Sequence, residues 1–331
     1  MVVIRRIKIV LTNFPNGVSS FGIPLIGNGV PATKGNVYWV DYGSGSDGNK
    51  GKSPSNAFKT VAYAYDRVTS NNDDVICLIG NSTHVLTEML TVSKNRVHFI
   101  GIDGTYGRYY GQNAKISLGV TTAATDIGTM KNIGIRNSFD NIKFTNENTV
   151  EEGIYCVVEG GEYTMYDRSE IYKSTDLDVT GAAELVMNGD SCHIRNCVIG
   201  STANAISGAV KRANVLVTKG LAGAGKVSRD VVFENCYFWK RASNIANRFF
   251  YGANATDIER MFHIKNCTFF NTKLAAALPA QCVEFAAEQT EGFCLIDGCT
   301  SINNTKLSTT TGVYIQGTVP TYATSGISVA A

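Results

Sequence analysis

Short apolar runs that end at glycine or asparagine dominate the chain beyond residue 74. The run from Val75 to Ile79 ends at a glycine, and so does the run from Val97 to Ile100. Apolar runs of about 4–8 residues bounded by turn residues are typical of buried β-strands. The pattern therefore predicts an all-β body made of many short strands.

A weak internal repeat runs through this body. Its form is an apolar residue, a charged residue, Asn or Gly, Cys or Ile, any residue, and an apolar residue. The copies lie at residues 139–144, 193–199, 232–238, 263–269 and 295–300. One strand–turn–strand unit cannot bury its apolar face alone, so such units stack into a solenoid. Asparagine suits the corner because it tolerates a left-handed backbone.

The repeat carries cysteines at one fixed position. Cys197, Cys236, Cys267 and Cys299 are spaced by 39, 31 and 32 residues. Stacked corners place like residues on one another, so we expect an inward ladder of thiols in a single-stranded parallel β-helix. The spacing is longer than a bare coil needs, and we interpret residues 211–229 and 242–260 as inserted loops.

Two segments precede the repeats. Residues 1–36 hold three of the six prolines and follow no strand or helix period. We interpret them as an extended N-terminal arm, because their apolar content is too high for a free tail. The arm residues expected to anchor it are Ile4, Ile7, Ile9, Leu11, Phe14, Phe21 and Ile23. Within the body, residues 37–331, the spacing of Phe58, Val61, Ala62 and Tyr65 predicts a capping helix over about 58–68.

Composition narrows the classes of partner. The 331 residues include 30 basic and 28 acidic side chains, a net charge of +2, which argues against nucleic acid. No stretch approaches the ~18 apolar residues of a membrane span, so no membrane partner is expected. We find no secretory signal. The nine cysteines, an odd number, favour reduced thiols in a chain made in a cytosol.

No cofactor or metal is expected from the candidate motifs. Residues 220–227 nearly match a phosphate-binding loop, but Val227 replaces the hydroxyl residue, and a strand rather than a helix is predicted next. His98, His193 and His263 share one repeat position, which we interpret as a surface ladder rather than a metal site. Asp47 and Asn49 are spaced like calcium ligands, but the closing Glu is missing.

Paired carboxylates are the feature that a sugar-cleaving site requires. The candidates are Asp73/Asp74, Glu151/Glu152, Asp176/Asp178 and Glu284/Glu288. Asp176 and Asp178 form the best geometric case, because side chains two residues apart on a strand share a face. None of the pairs comes with an aromatic or basic platform for a glycan. We therefore expect no catalytic site, with Asp176 and Asp178 as the alternative.

The stretch from Val37 to Val68 resembles a known class of proteins. Its run GSDGNKGKSP at 45–54, followed by FKT at 58–60, is similar to the first segment of right-handed parallel β-helix proteins of the pectate-lyase-like class. The motifs NFPNG at 13–17 and SFGIP at 20–24 resemble the N-terminal segment of tailed-bacteriophage virion proteins with this architecture. Those include tailspike-like proteins and head-decorating fibres, which are commonly trimers.

The resemblance implies a function. We expect a structural virion protein, a capsid decoration or head fibre, made in the bacterial host cytoplasm and attached through its arm. Its expected partners are two further copies in a homotrimer and a phage capsid or other virion protein. The alternative is a tailspike-like protein that binds or degrades a host surface polysaccharide.

Overall fold

The computed structural model describes residues 18–20, 23–25, 33–103, 111–119, 127–147, 154–173, 179–203, 205–272, 278–285 and 288–316. Within these ranges each coil of the chain supplies strands to three sheets, named I, II and III here. All neighbouring strands that the register describes in these sheets are parallel. The body is therefore a parallel β-helix, as the repeat predicts.

Sheet I runs the full length of the solenoid. In spatial order it contains β3 (Val37–Val40), β4 (Asp74–Ile79), β7 (Val97–Ile102), β10 (Ser138–Asp140), β13 (Met165–Asp167), β16 (His193–Arg195), β19 (Ser228–Glu234), β22 (Ile258–Lys265), β25 (Glu291–Asp297) and β27 (Val313–Gln316).

Sheets II and III complete each coil. Sheet II contains β5 (His84–Leu86), β8 (Lys115–Leu118), β11 (Lys143–Asn146), β14 (Glu170–Lys173), β17 (Val198–Gly200), β20 (Tyr237–Lys240), β23 (Thr268–Asn271) and β26 (Thr300–Ile302). Sheet III contains β6 (Leu90–Val92), β9 (Met130–Asn132), β12 (Tyr155–Glu159), β15 (Ala183–Met187), β18 (Ala213–Val217), β21 (Phe250–Gly252) and β24 (Val283–Phe285).

The corner between sheets I and II confirms the role assigned to asparagine. Asn141, Asn196, Asn235 and Asn266 have φ angles of 57°, 54°, 53° and 51°, in the left-handed region. The next residue is buried at each of these corners, as Ile142, Cys197, Cys236 and Cys267. Cys299 follows Gly298, which has a φ angle of 61° at the equivalent corner. The backbone N–H of Cys236 donates to the Cys267 sulfur at 3.4 Å, and that of Cys267 to the Cys299 sulfur at 3.4 Å. All nine cysteines are buried and free, so the thiol ladder is confirmed.

The inserted loops are shorter than the sequence suggests. Residues 211–229 contain β18 and residues 242–260 contain β21, so each segment supplies a strand of sheet III. The remaining loop at 218–227 packs over the outer face of that sheet, where Ala222 joins Val158, Val186 and Leu216 in a small second core.

The capping helix, α1, spans Val61–Arg67 and begins later than the expected residue 58. Thr60 is its N-cap and accepts a hydrogen bond from the Tyr63 N–H at 3.2 Å. The Asp47 carboxylate accepts the N–H groups of Lys59 and Thr60, both at 2.9 Å, and so fixes the residues before the helix. Phe58 instead forms a bridge with Val40 in the core. A 3₁₀ turn, Pro54–Asn56, lies just before Phe58 in the chain.

Most of the expected arm lies outside the described residues. That is true of Ile4, Ile7, Ile9, Leu11, Phe14 and Phe21. The described part is an antiparallel pair, β1 (Val18–Ser20) and β2 (Ile23–Leu25), in which Ile23 opens the second strand. At the junction with the body, the Asn36 N–H donates to the Asp74 carboxylate at 2.6 Å.

Among the described residues, no helix has the length and apolar character needed to cross a bilayer.

Candidate functional site

A cleft of about 440 Å³ lies at the C-terminal end of the outer face of sheet III. Its lining residues come from the coil of β18, the coil of β24 and the coil after β24, and are Lys211, Gln281, Glu284, Phe285, Glu288, Thr309, Thr310 and Thr311. Val283 and Phe285 of β24 pack into the core, so strand alternation turns Glu284 outward into the cleft. Lys211 and Gln281 precede β18 and β24 at the corner that enters sheet III.

Glu284 is the centre of the cleft. Its carboxylate is ion-paired with Lys211 on one side and with Arg248 on the other. The Gln281 side chain donates a third hydrogen bond at 2.9 Å. The Gln281 oxygen in turn accepts the N–H and hydroxyl of Thr309, each at 2.9 Å. The charged groups are thus fixed from two directions rather than held on free side chains.

The electrostatics of the cleft keep Glu284 ionised. Burial raises the pKa of this carboxyl, but hydrogen bonds from Lys211, Gln281 and Arg248 outweigh burial and hold the pKa at about 2. A carboxylate with such a pKa cannot deliver a proton at neutral pH. It can accept hydrogen bonds from hydroxyl groups, which is the contact that a sugar offers.

One aromatic ring borders the charged groups. Tyr251 of β21 is the register partner of Glu284, and the Lys211 ammonium lies 4.9 Å from the centre of its ring. The exposed side chain of Glu288 and the three threonines form the opposite rim. Carboxylates, an ammonium, an amide, hydroxyls and a phenol ring together match the donors and acceptors of a polyhydroxylated ligand.

Of the two carboxylate pairs that fall within the described residues, Glu284 and Glu288 line one cleft and Asp73 and Asp74 do not. Asp176 and Asp178, and likewise Glu151 and Glu152, lie outside the described residues.

Asp73 and Asp74 have structural contacts. Asp73 is ion-paired with Arg96, and the buried Asp74 accepts the N–H groups of Asn36 at 2.6 Å and Thr69 at 2.7 Å. These two carboxylates hold the start of the solenoid together.

The histidine ladder lies on the outer face of sheet I. His98 is three rungs from His193, with Ser138 and Met165 between them, and Val232 separates His193 from His263. Consecutive rungs therefore never both carry an imidazole at this position. Among the described residues, no group of three or more His, Cys, Asp or Glu side chains is arranged to hold a metal ion.

The loop that resembles a phosphate-binding motif is a cover for sheet III. Its ends meet where the Gly220 N–H donates to the Lys226 carbonyl at 2.8 Å. The Ala222 N–H donates to the Asn188 side chain at 2.9 Å, and Lys226 pairs with Glu162 at 3.1 Å. Strand β19 follows at Ser228, so the loop leads into a strand and not into a helix N-terminus.

Sequence reasoning missed the cations of the cleft. Lys211 lies 73 residues before Glu284, and Arg248 lies 36 residues before it. Neither cation shares a local motif with Glu284, because the three residues come from different coils. The available signal is position in the coil: Lys211 lies two coils before Glu284, and Arg248 lies one coil before it. Using this signal requires the positions of the strands in sheet III.

A second set of paired carboxylates lies on the outer face of sheet I. Asp140 and Asp167 are register partners on adjacent strands. Arg168 contacts both, with 2.5 Å to Asp140 and 3.4 Å to Asp167, and Arg195 lies 3.1 Å from Asp167. The side chain of Asp167 is only 4% exposed. These charges neutralise one another along the sheet and stabilise its stacked rungs.

Comparison with solved structures identifies the fold. The structure superposes on the pectin methylesterase from Aspergillus niger with a TM-score of 0.54 and 12% sequence identity, covering 86% of this chain and 85% of that one. It superposes on the pectate lyase Pel9A with a TM-score of 0.55 and 13% identity, covering 86% of this chain and 68% of that one. Both are right-handed parallel β-helix proteins. The right-handed parallel β-helix fold is therefore confirmed.

At these identities the similarity extends to the fold alone. A scan against models of protein families finds no match. A search of curated proteins finds no significant match.

Proposed function

We propose that this protein binds a polysaccharide on the outer face of sheet III and does not cleave it. The observation that carries the proposal is the cleft around Glu284, in which charged, amide, hydroxyl and aromatic groups converge. The pectin methylesterase and pectate lyase that share the fold have carbohydrate substrates by name, which supports the same class of ligand here. The fold by itself would not choose a ligand.

Binding is favoured over cleavage by the state of Glu284. Glycoside hydrolysis uses two carboxyl groups, of which one is a proton donor with a raised pKa. The pKa of Glu284 is moved the other way, to about 2, by hydrogen bonds from Lys211, Gln281 and Arg248. The same contacts fix the carboxylate as a hydrogen-bond acceptor, which serves recognition.

Replacing Lys211 by methionine is expected to weaken polysaccharide binding about tenfold, a loss of about 1.4 kcal/mol. The change removes one cationic donor of the cleft and releases one oxygen of Glu284. The measurement is affinity electrophoresis or calorimetry against a panel of bacterial surface polysaccharides. Lys219→Met is the matched control, because Lys219 is an exposed lysine outside the cleft.

Equal affinity of Lys211→Met, Lys219→Met and the unchanged protein for the polysaccharide would show that the cleft is not the binding site. The same incubations measure cleavage, as new reducing ends or unsaturated sugar ends. Release of such ends by the unchanged protein would instead favour the polysaccharide-degrading alternative.

We further propose that the β-helix is a homotrimeric virion component, a head decoration or fibre, held to its particle by its N-terminal arm, residues 1–36. Apolar and basic residues alternate in Ile7, Lys8 and Ile9, a pattern that suits a strand added to the sheet edge of another chain. The exposed aromatic side chains of Tyr237 and Tyr314 on the body support association between copies.

Deletion of residues 1–32 tests the attachment. The cut leaves Thr33 and Asn36, whose contacts with Asp73 and Asp74 close the first coil. The shortened chain is expected to keep its β-rich circular dichroism spectrum and to lose binding to particles that lack the protein. Particle binding equal to that of the full chain would contradict the attachment, and a monomer of the full chain by light scattering would contradict the trimer.

A further inference from the structure

A second cleft, of about 330 Å³, lies on sheet II near the N-terminal end of the solenoid. Two lysines on adjacent strands line it, Lys115 of β8 and Lys143 of β11, which are register partners. Tyr172 of β14 forms one wall. The corner segments 80–83 and 112–113, which lead from sheet I into sheet II, form the rest. The cleft shares no residue with the cleft on sheet III.

Both lysines are fixed in place. The Lys143 ammonium lies 3.3 Å from the Glu170 carboxylate and 5.1 Å from the centre of the Tyr172 ring. The Lys115 ammonium lies 2.8 Å from Glu147. The two lysine side chains are 20% and 24% exposed, so they are held against the sheet and still accessible from the cleft. Each ammonium has three donors, more than its one carboxylate partner requires.

The polar rim is also held by the body. The Asn81 amide donates to Asp41 at 3.0 Å, and the Gln112 amide donates to the Arg168 carbonyl at 2.7 Å. The Asn113 N–H donates to Asp103 at 2.5 Å. Ser82 and Thr83 add hydroxyl groups to the lining. Groups that are fixed before a ligand arrives lose little conformational entropy on binding.

The balance of charge in the cleft selects among ligands. Glu147 and Glu170 offset the two lysines, so a bare anion gains little from entering. A ligand that has both a negative group for the lysines and hydroxyls for the amide and hydroxyl rim gains from both. The volume suits a ligand of about one or two sugar residues, at the lower end of the range for small-molecule sites.

We propose that the sheet II cleft binds a saccharide residue that carries a negatively charged group, a carboxylate or a sulfate. Lys115 and Lys143 contact the anionic group, and the corner segments at 80–83 and 112–113 contact the ring hydroxyls. The site does not depend on the function proposed for the sheet III cleft. A chain that carries both sites contacts a glycan on two faces of the solenoid.

The test is calorimetric titration of the full-length protein with three trisaccharides: trigalacturonate, a sulfated trisaccharide and uncharged maltotriose. Inorganic sulfate is the fourth probe. At least one acidic trisaccharide is expected to bind at least tenfold more tightly than maltotriose and than sulfate. The carboxylated and sulfated probes distinguish the two anionic groups. Equal affinity for maltotriose and both acidic probes would overturn the proposal.

Variants assign the binding to this cleft. Lys143→Met and Lys115→Met are each expected to lower the affinity for the acidic probe at least fivefold, whereas Lys219→Met leaves it unchanged. The two lysines lie on different strands, so if one variant misfolds the other still provides the test. Circular dichroism shows whether each variant is folded. The titration is repeated with Lys211→Met. Binding that is lost in Lys211→Met but retained in both sheet II variants would assign the ligand to sheet III and overturn the proposal.

Discussion

Replacing Phe139 by alanine is expected to lower the free energy of unfolding by about 3–5 kcal/mol. Phe139 is fully buried in the middle of the solenoid. Its ring stacks between Phe99 at 5.2 Å and Tyr166 at 4.8 Å, and it meets the edge of Phe144 at 5.9 Å. Removing the ring leaves a cavity between two coils that the rigid ladders on either side cannot close.

Urea unfolding followed by circular dichroism measures this loss. Phe293→Ala is the matched control, because Phe293 is 39% exposed on the outer face of sheet I. The control is expected to lose less than about 1 kcal/mol. Equal losses in the two variants would contradict the interpretation that the aromatic stack holds adjacent coils together.

Sheets I and II could be predicted from sequence because their connection is local. The left-handed residue, the inward residue after it and both flanking strands fall within about ten residues, as in the copy around Asn235 and Cys236. A corner of this kind repeats its chemistry wherever it occurs. The thiol ladder followed from the same local rule, because identical corners stack in register.

The strands of sheet III are harder to recognise from the sequence, because part of the outer face of the sheet is covered. Alternation of apolar and polar residues is the usual signal of a strand with one exposed face. In β12, β15 and β18 the outward residues Val158, Val186 and Leu216 are apolar and buried, because the 218–227 loop covers them. A strand covered on both faces loses the alternation, and for this reason the sequence pattern predicts loops around β18 and β21.

The sheet III cleft was predictable only in part. The spacing of Glu284 and Glu288 was visible in sequence, but the charge state of Glu284 depends on Lys211 and Arg248 from other coils. An isolated pair of glutamates suggests acid–base chemistry, whereas a glutamate between two cations is an ionised acceptor. Tertiary contact therefore changes the function that the pair supports.

Two buried groups, Glu159 and Lys240, are expected to contribute to the pH dependence of stability with opposite signs on the two sides of pH 7. Burial raises the pKa of Glu159 to about 7, despite hydrogen bonds from Tyr166, Asn132 and the Gly161 N–H. Burial lowers the pKa of Lys240 to about 7, although its ammonium donates to the Arg212 carbonyl at 3.2 Å.

The signs follow from which state binds more protons. Between pH 4.5 and 7 the folded chain keeps the Glu159 proton that the unfolded chain has lost, so the Glu159 contribution falls as the pH rises through 7. Between pH 7 and 10.5 the unfolded chain keeps the Lys240 proton that the folded chain has lost, so the Lys240 contribution rises with pH. At 1.36 kcal/mol per pKa unit, the Glu159 contribution changes by about 3 kcal/mol between pH 4.5 and 7. The Lys240 contribution changes by about 5 kcal/mol between pH 7 and 10.5.

Two variants separate the Glu159 contribution from the Lys240 contribution, and each variant is the control for the other. Glu159→Gln keeps an amide oxygen for the Asn132 and Gly161 donors and is expected to flatten the profile between pH 4.5 and 7 only. Lys240→Met is expected to make the profile less steep between pH 7 and 10 only, because burial also lowers the pKa of Lys173, to about 8, and that group still titrates in this range. The measurement is the urea unfolding free energy at pH 5, 7 and 9.5, with each variant compared with the unchanged protein at the same pH, so that all other titrating groups cancel. If Glu159→Gln alters the profile between pH 7 and 10 as much as between pH 4.5 and 7, the assignment of the acid part of the profile to Glu159 is wrong.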